Sequence, residues 1–309
     1  MNTAQLEKVK SGHGFFAALD QSGGSTPKAL QEYGISQDRY SNNDQMYDLV
    51  HAMRTRIITN TAFDGSRVIA AILFLQTMER NIEGVPSAQY LWETKNVVPF
   101  LKVDLGLAAE QYNVQLMKPI DTLDAQLAAA NRNGIFGTKM RSVIKEANEA
   151  GIDAIVSQQF EYGEKIRAAG LVPILEPEVS IGSASKPQAE VLLRDAIARR
   201  VDALPEDARI MLKVTIPNQP GLYGDLKEDP RVLQIVALSG GYTRDQACLL
   251  LKKDRTLIAS FSRALLEGLT EQQTDKEFTA TLEHSVEEIF TASVGQLALR
   301  AHQRGILRS

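Results

Sequence analysis

The stretch LVPILEPEV, residues 171–179, holds a short apolar run that ends in two glutamates, Glu176 and Glu178, on either side of a proline. A continuous apolar run of this length is typical of a strand that is buried on both faces of a parallel sheet. Seven further runs have the same character, and polar residues, glycine or proline border each of them. The eight predicted strands are Gly14–Asp20, Val68–Leu75, Val97–Val103, Phe136–Arg141, Leu171–Glu176, Arg209–Val214, Val232–Ser239 and Thr256–Phe261.

Segments with helical character separate these strands. Apolar residues recur three and four positions apart, with charges between them, in Ser142–Ala150 and Gln188–Ala203. Further helices are predicted for most of Ser36–Thr61, for Asp121–Asn131 and for Asp275–His302. Alternating strands and helices favour parallel βαβ units, and eight of them predict a (β/α)8 barrel of the TIM type. An open doubly wound sheet is the rival, although no GxGxxG follows a strand. The barrel would be one domain spanning residues 1–309, with a helical tail from about 275 to 309.

The composition argues against several classes of protein, namely nucleic-acid-binding, secreted, membrane and metal-binding proteins. The 309 residues are 44% hydrophobic and 23% charged, and the net charge of -4 indicates no overall basic field for nucleic acid. The N-terminus has no apolar run, and no stretch reaches the roughly 20 apolar residues that span a bilayer, so neither secretion nor membrane insertion is expected. Cys248 is the only cysteine, which fits a reducing cytoplasm. The four histidines are scattered without metal-ligand spacing, so no metal or cofactor is predicted.

Polar residues stand inside or directly after nearly every predicted strand. They are Asp20, Lys102, Lys139, Arg141, Glu176, Glu178, Lys213, Ser239 and Arg263. Any one of them alone is more simply explained as a solvated or capping residue. The carboxyl ends of barrel strands form the active-site face, however, and buried charges are costly unless they are paired. The repeated pattern therefore predicts a polar pocket in which these side chains neutralise one another.

Two glycine-containing loops are candidate anion sites. The segment Ser239–Gly241 lies between a strand and a predicted helix, so its backbone N–H groups can face a phosphate, with Arg263 from the next strand as a partner. The second loop, DQSGGSTPK, runs from Asp20 to Lys28 and combines glycines, hydroxyls and a lysine. Two such loops indicate a substrate with two phosphates.

Together these segments resemble the class I fructose-1,6-bisphosphate aldolases. The resemblance runs from about Gly14 to Leu265 and follows the family's motif order: AALDQSGGSTPK, VVPFLKVDLG, GTKMRSVIK, LVPILEPEV, IMLKVTIPNQ, LSGG and FSRAL. It implies a (β/α)8 barrel and a metal-independent glycolytic or gluconeogenic lyase. The expected reaction is the reversible cleavage of fructose 1,6-bisphosphate to dihydroxyacetone phosphate and glyceraldehyde 3-phosphate.

The resemblance also implies a role for each motif residue. Lys213 would form a Schiff base with the ketone, Glu176 would act as general acid and base, and Asp20 would take the C4 hydroxyl proton. Glu178 and Lys139 would tune Glu176. Lysine attacks a ketone only as the neutral amine, so we expect Lys139, on a neighbouring strand, to lower the pKa of Lys213 by repulsion. The substrate-binding set is Ser239, Gly240 and Arg263 for the C1 phosphate, Ser25, Lys28 and Lys102 for the C6 phosphate or nearby hydroxyls, and Arg141.

The chain departs from the vertebrate enzymes of this family in three ways. No tyrosine follows Tyr242, whereas those enzymes end in a tyrosine that reaches the active site. The family's Lys-Pro-Asn is here Lys213-Val-Thr-Ile-Pro-Asn218, and the chain is shorter, which favours a bacterial-type branch and leaves a homo-oligomer open. The alternatives are a Schiff-base aldolase or transaldolase for another phosphorylated sugar, a metal-dependent aldolase, and a barrel that serves as a binding scaffold.

Overall fold

Eight parallel strands form a closed barrel in the computed structural model of the protein, which describes residues 2–22, 24 and 26–306, with side chains through residue 295. The barrel strands are β1 (Phe15–Leu19), β2 (Val68–Leu73), β5 (Val98–Lys102), β7 (Gly137–Ile144), β8 (Val172–Val179), β9 (Ile210–Thr215), β10 (Val232–Leu238) and β11 (Ile258–Phe261). Three two-residue strands lie outside the barrel: β3 (Asn81–Ile82), β4 (Val85–Pro86) and β6 (Val114–Gln115). The barrel order is β5-β2-β1-β11-β10-β9-β8-β7, and β5 pairs with β7 to close it. The predicted (β/α)8 barrel is thus confirmed, and each predicted strand overlaps one barrel strand.

Helices connect the strands on the outside. Their bounds are α1 (Thr3–Ser11), α2 (Thr26–Glu32), α3 (Asn43–Thr59), α4 (Leu75–Met78), α5 (Ser87–Gln89), α6 (Leu123–Arg132), α7 (Glu149–Ala168), α8 (Lys186–Asp202), α9 (Gly224–Glu228), α10 (Arg244–Leu251), α11 (Arg263–Leu266) and α12 (Asp275–Ile306). A 3-10 turn at Gln37–Arg39 and a π-helical turn at Tyr90–Thr94 complete the elements.

The helix predicted for Ser142–Ala150 is wrong. Strand β7 continues through Ile144, because its end still pairs with β8 on one side and with the antiparallel β6 on the other. The helix begins only at Glu149, where the side chain of Asn148 accepts a hydrogen bond from the backbone of Gly151 and so caps the first turn. The sequence prediction missed most of this 20-residue helix, α7, and all of α1.

The buried apolar residues form two clusters that the strands separate. The smaller one fills the barrel interior and includes Phe16, Phe100, Ile174 and Met211, and the larger one lies between the strands and the helices. Gly137 makes room inside the barrel, because a Cβ there would lie 2.7 Å from the Phe100 ring and 2.2 Å from the Val172 carbonyl oxygen. The interior is therefore packed below the level at which the polar side chains begin.

The last helix, α12, packs against the outside of the barrel beside α10, α11 and β11. Phe278, Leu282 and Val286 bury its apolar face, and the Ser293 hydroxyl accepts a hydrogen bond of 3.0 Å from the backbone of Ala259 in β11. Its backbone leaves the helical conformation at Gly295. No helix in the described part of the chain combines the length and apolar character needed to cross a bilayer.

Candidate active site

A cavity of about 550 Å³ opens at the carboxyl ends of the barrel strands. Its walls contain eleven of the twelve predicted site residues: Asp20, Lys28, Lys102, Lys139, Arg141, Glu176, Glu178, Lys213, Ser239, Gly240 and Arg263. The twelfth, Ser25, lies outside the described residues. The barrel therefore brings together residues of four strands (β5, β7, β8 and β9), of the loops after β1 and β10, and of helices α2 and α11.

Strand periodicity explains how these side chains reach the cavity. Side chains two positions apart lie on the same face of a strand. Met211 belongs to the interior cluster, so Lys213 in β9 faces the same interior one layer higher. Ile174 in the interior cluster likewise places Glu176 and Glu178 on the cavity side of β8. The apolar layer thus ends where the charged layer starts.

Four buried charged groups form a continuous chain at the floor of the cavity. The Lys139 Nζ lies 2.7 Å from Oδ2 of Asp20 and 2.9 Å from Oε2 of Glu176. Glu176 in turn places its Oε1 3.0 Å from the Nζ of Lys213. At most 7% of any of the four residues is exposed. Among the described carboxylates, Glu176 is therefore the one that contacts both amines.

The arrangement of these four charged groups corrects one detail of the sequence prediction. Lys139 and Lys213 do not lie on neighbouring strands, because β8 pairs with β7 on one side and with β9 on the other. The residue between the two amines is Glu176 of β8. Any repulsion between the ammonium groups is thus exerted across a shared carboxylate.

The ion pairs of Asp20 and Lys139 determine the protonation states of these two side chains. Burial acts to raise the pKa of Asp20, but the positive charges of Lys139 and Lys213 and the hydrogen bond from Lys139 outweigh it and lower the pKa to about 2. Burial acts to lower the pKa of Lys139, yet the carboxylates of Asp20 and Glu176 outweigh it and raise the pKa above its usual value. Asp20 is therefore a carboxylate and Lys139 an ammonium at neutral pH.

Two further ion pairs line the walls above the four buried charged groups. The Arg141 Nε lies 2.5 Å from Oε2 of Glu178, and this pair raises the pKa of Arg141 against the opposing effect of burial. The Lys102 Nζ lies 2.8 Å from Oδ1 of Asp104. Asp104 is 6% exposed, and its other carboxylate oxygen has no hydrogen-bond partner among the described residues. Glu178 thus pairs with Arg141, and none of its described ion pairs involves the central chain.

The sequence prediction missed Asp104, Gln21, Ser260 and Ser262, which also line the cavity. A period of two from Phe100 through Lys102 leads to Asp104, so the signal for this residue was present in the sequence. The same period along β11 connects the interior residue Ile258 to Ser260 and to Ser262. Gln21 carries no such periodic signal because it follows the end of its strand.

The rim of the cavity carries the predicted anion-binding residues. Gly240 and Gly241 have φ angles of +63° and +120°, in the region that favours glycine. A Cβ on Gly240 would lie 2.7 Å from the side chain of Ile181, so this turn needs a residue without a side chain. Arg263 is exposed beside this loop, and Lys28, on α2, also lines the cavity and pairs with Glu32 at 3.8 Å. Two cations, Lys28 and Arg263, thus lie among the residues that follow the neighbouring strands β1 and β11.

The described residues include no group of three or more His, Cys, Asp or Glu side chains arranged to hold a metal ion.

Comparison with known proteins decides the family. The family model "Fructose-bisphosphate aldolase class-I" matches residues 2–218. The fructose-bisphosphate aldolase class 1 of Synechocystis sp. is 56% identical over 293 residues, which cover 95% of this chain and 98% of that protein. The chain belongs to the class I fructose-bisphosphate aldolase family. The resemblance seen in the sequence motifs is therefore confirmed.

Solved structures agree on the fold. The fructose-bisphosphate aldolase of Plasmodium falciparum, solved in a ternary complex with TRAP and a small-molecule inhibitor, has a TM-score of 0.71 at 18% identity over 96% of both chains. A Corynebacterium glutamicum protein has a TM-score of 0.51 at 10% identity over 94% of this chain and 92% of its own. At these identities the likeness concerns the barrel alone.

Proposed function

We propose that this class I aldolase cleaves fructose 1,6-bisphosphate reversibly into dihydroxyacetone phosphate and glyceraldehyde 3-phosphate, through a Schiff base on Lys213. The observation that carries the proposal is the position of Glu176, within 3.0 Å of the Lys213 amine and 2.9 Å of the Lys139 amine at the floor of the cavity. A Schiff-base enzyme needs a nucleophilic amine and an acid–base group in contact with it. The pairing of Lys213 with Glu176 supplies both.

The first half of the reaction uses these two residues. A proton first passes from the Lys213 ammonium to Glu176, 3.0 Å away. The neutral amine then adds to the C2 carbonyl, and a proton moves from the nitrogen to the carbonyl oxygen, which becomes a hydroxyl. Glu176 then gives a proton to that hydroxyl, which leaves as water, and an iminium ion remains. The Lys139 ammonium stabilises the carboxylate of Glu176 after it has lost its proton, since the two groups are only 2.9 Å apart.

Asp20 is the base in the second half. It takes the C4 hydroxyl proton, the C3–C4 bond breaks, and the electron pair moves to the iminium nitrogen to form an enamine. Glyceraldehyde 3-phosphate leaves, C3 takes a proton from a water molecule, and Asp20 returns its proton to that water. A second water then hydrolyses the iminium to release dihydroxyacetone phosphate. With a pKa of about 2, Asp20 is ionised and able to accept the proton, and it becomes a stronger base when substrate loosens its ion pair with Lys139.

The rim residues hold the two phosphates in this proposal. Ser239, Gly240 and Arg263 bind the C1 phosphate, and Lys28, Lys102 and Ser25 bind the C6 phosphate or nearby hydroxyls. Arg141 contributes a further cation from the wall, where Glu178 holds it. Anchoring both ends of the sugar fixes the C3–C4 bond relative to Lys213, and such positioning lowers the barrier.

Trapping the intermediate tests the assignment of Lys213. Borohydride added with dihydroxyacetone phosphate reduces the iminium, and mass spectrometry locates the modified lysine. We expect the adduct on Lys213, none in Lys213→Arg, and an undiminished adduct in the matched control Lys95→Arg, which lies outside the cavity. An adduct on Lys139 or Lys102, or no adduct at all, contradicts the proposal.

The alternative is a Schiff-base aldolase or transaldolase for another phosphorylated sugar. The two cations at the mouth, Lys28 and Arg263, favour a substrate with two phosphates. Comparing cleavage of fructose 1,6-bisphosphate with that of fructose 1-phosphate separates the two, because the alternative predicts no preference for the bisphosphate. The cytoplasmic location, the homo-oligomer and the single-domain boundary at 1–309 remain predictions.

A further inference from the structure

Arg54 is a buried cation that the proposed reaction does not use. It lies in α3, outside the barrel, and only 1% of it is exposed. Its Nη1 donates to the Thr77 hydroxyl and its Nη2 to the Gln21 carbonyl oxygen, both at 2.6 Å. Neither acceptor carries a charge, and its Nε has no hydrogen-bond partner among the described residues. An arginine buried on neutral acceptors is costly, so its position calls for a reason.

The pKa of Arg54 reflects the cost of burying its charge. Burial lowers the pKa of Arg54 to about 10, although the charges of Asp20 and Tyr47 act to raise it. The guanidinium therefore remains charged at neutral pH. Its hydrogen bond to the Gln21 carbonyl is charge-assisted and stronger than a bond between neutral groups.

The Gln21 residue extends this contact to the neighbouring loop after β11. Its main chain directly follows Asp20, the end of the first barrel strand. Its side-chain Nε2 donates to the Ser262 hydroxyl at 2.6 Å, and Ser262 directly precedes Arg263. The series Arg54–Gln21–Ser262 thus links the loop after β1 to the loop after β11.

These two loops begin the two anion sites of the proposed function. The loop after β1 leads to Lys28, and Ser262 adjoins Arg263, which lies beside the glycine loop at 240–241. The β1 and β11 strands pair directly, so their loops are neighbours whose relative position a single bridge can fix. A substrate with two phosphates must meet both sites at once, whereas one with a single phosphate needs only one.

We propose that Arg54 is a specificity-determining positioning residue, which holds the two anion-binding loops at the spacing of a bisphosphorylated ketose through Gln21. The inference rests on the proposed function of this site. Arg54 does not itself line the cavity, so it acts through the main chain and side chain of Gln21, which does. Its loss should weaken selection for the second phosphate and leave Schiff-base chemistry in place.

The test compares kcat/KM for fructose 1,6-bisphosphate and fructose 1-phosphate in Arg54→Met. We expect the ratio of the two values to fall about tenfold or more, the effect of losing one charge-assisted hydrogen bond. Borohydride trapping of dihydroxyacetone phosphate should be retained. Arg54→Lys, whose ammonium keeps the charge and one hydrogen bond, should give a ratio between those of the wild type and Arg54→Met.

Thr77→Val is the matched control. It removes the other hydrogen bond of Arg54 at the same depth but leaves the bond to Gln21, so the ratio should stay within about twofold of the wild-type value. Equal losses on both substrates in Arg54→Met, or an equal fall of the ratio in Thr77→Val, would overturn the inference.

A variant that does not fold and a wild-type enzyme that is inactive are distinguished from failure of the inference. If Arg54→Met does not fold, Ser262→Ala breaks the same bridge at its far end, and an unchanged ratio there overturns the inference. A wild-type enzyme that neither cleaves the bisphosphate nor forms an adduct refutes the proposed function instead.

Discussion

Replacing Lys139 by methionine tests the charge balance of the buried chain. The change leaves Asp20 without the ammonium 2.7 Å away, while Glu176 keeps its contact with Lys213. In the wild type the pKa of Asp20 is lowered from 3.8 to about 2, and at about 1.4 kcal/mol per pKa unit this contributes about 2 kcal/mol to stability. Removing one partner of a buried pair costs about 3–5 kcal/mol in total, so we expect the free energy of unfolding at pH 7 to fall by about that amount.

The dependence on pH has a definite sign. A carboxylate whose pKa is lower in the folded than in the unfolded protein adds stability above the unfolded value of 3.8, and this stability is lost as the pH falls toward 2. In Lys139→Met the largest cause that lowered the pKa of Asp20 is gone, while burial still acts to raise it. Asp20 therefore takes up a proton at a higher pH in the variant. The stability gap between the two proteins should be wider at pH 7 than at pH 4.5.

Urea unfolding followed by far-ultraviolet circular dichroism at both pH values measures the gap. Adding Asp20→Asn to Lys139→Met removes the unpaired charge and should recover about 2 kcal/mol at pH 7. Lys95→Met is the control: in the described part of the structure the hydrogen-bond acceptors of the Lys95 amine are the carbonyl oxygens of Thr59 and Asn60, so its cost should not change over this pH range. A loss below about 1 kcal/mol in Lys139→Met, or no recovery in the double variant, would refute the reasoning.

Three further predictions concern the site and the barrel. Glu176→Gln should lower kcat about a hundredfold or more, because this carboxylate contacts both amines. Glu178→Gln should lower kcat less. Steady-state kinetics checks both variants, and equal losses of kcat would contradict the assignment. Gly137→Ala should unfold at a markedly lower temperature, since its Cβ would lie 2.2 Å from a backbone oxygen, whereas Gly163→Ala, with 3.3 Å to a flexible leucine, should change the melting temperature little. Glu190→Ala removes the carboxylate paired with a buried lysine of α8 and should cost about 3–5 kcal/mol in urea unfolding; a cost under 1 kcal/mol would show that water reaches this lysine.

Local patterns were sufficient for most of the barrel and failed where pairing decided the outcome. The strands were predictable because a strand buried on both faces needs an unbroken apolar run, as in Val232–Leu238. The segment Ser142–Ile144 was predicted as helix because its spacing of apolar residues fits a helix as well. Hydrogen bonds to β8 and β6, which are distant in sequence, make it a strand.

The sequence by itself determined where the strands lie along the chain, the family and the residue types of the site, since these depend on local apolar runs and on motifs. Only the tertiary structure decided which charges meet. It placed Glu176 between Lys139 and Lys213, paired Glu178 with Arg141, and brought Arg54 against the loop after β1. Closing the barrel fixes the distances between side chains on different strands. The strength of an ion pair depends on those distances and on burial, and neither is encoded within any one segment.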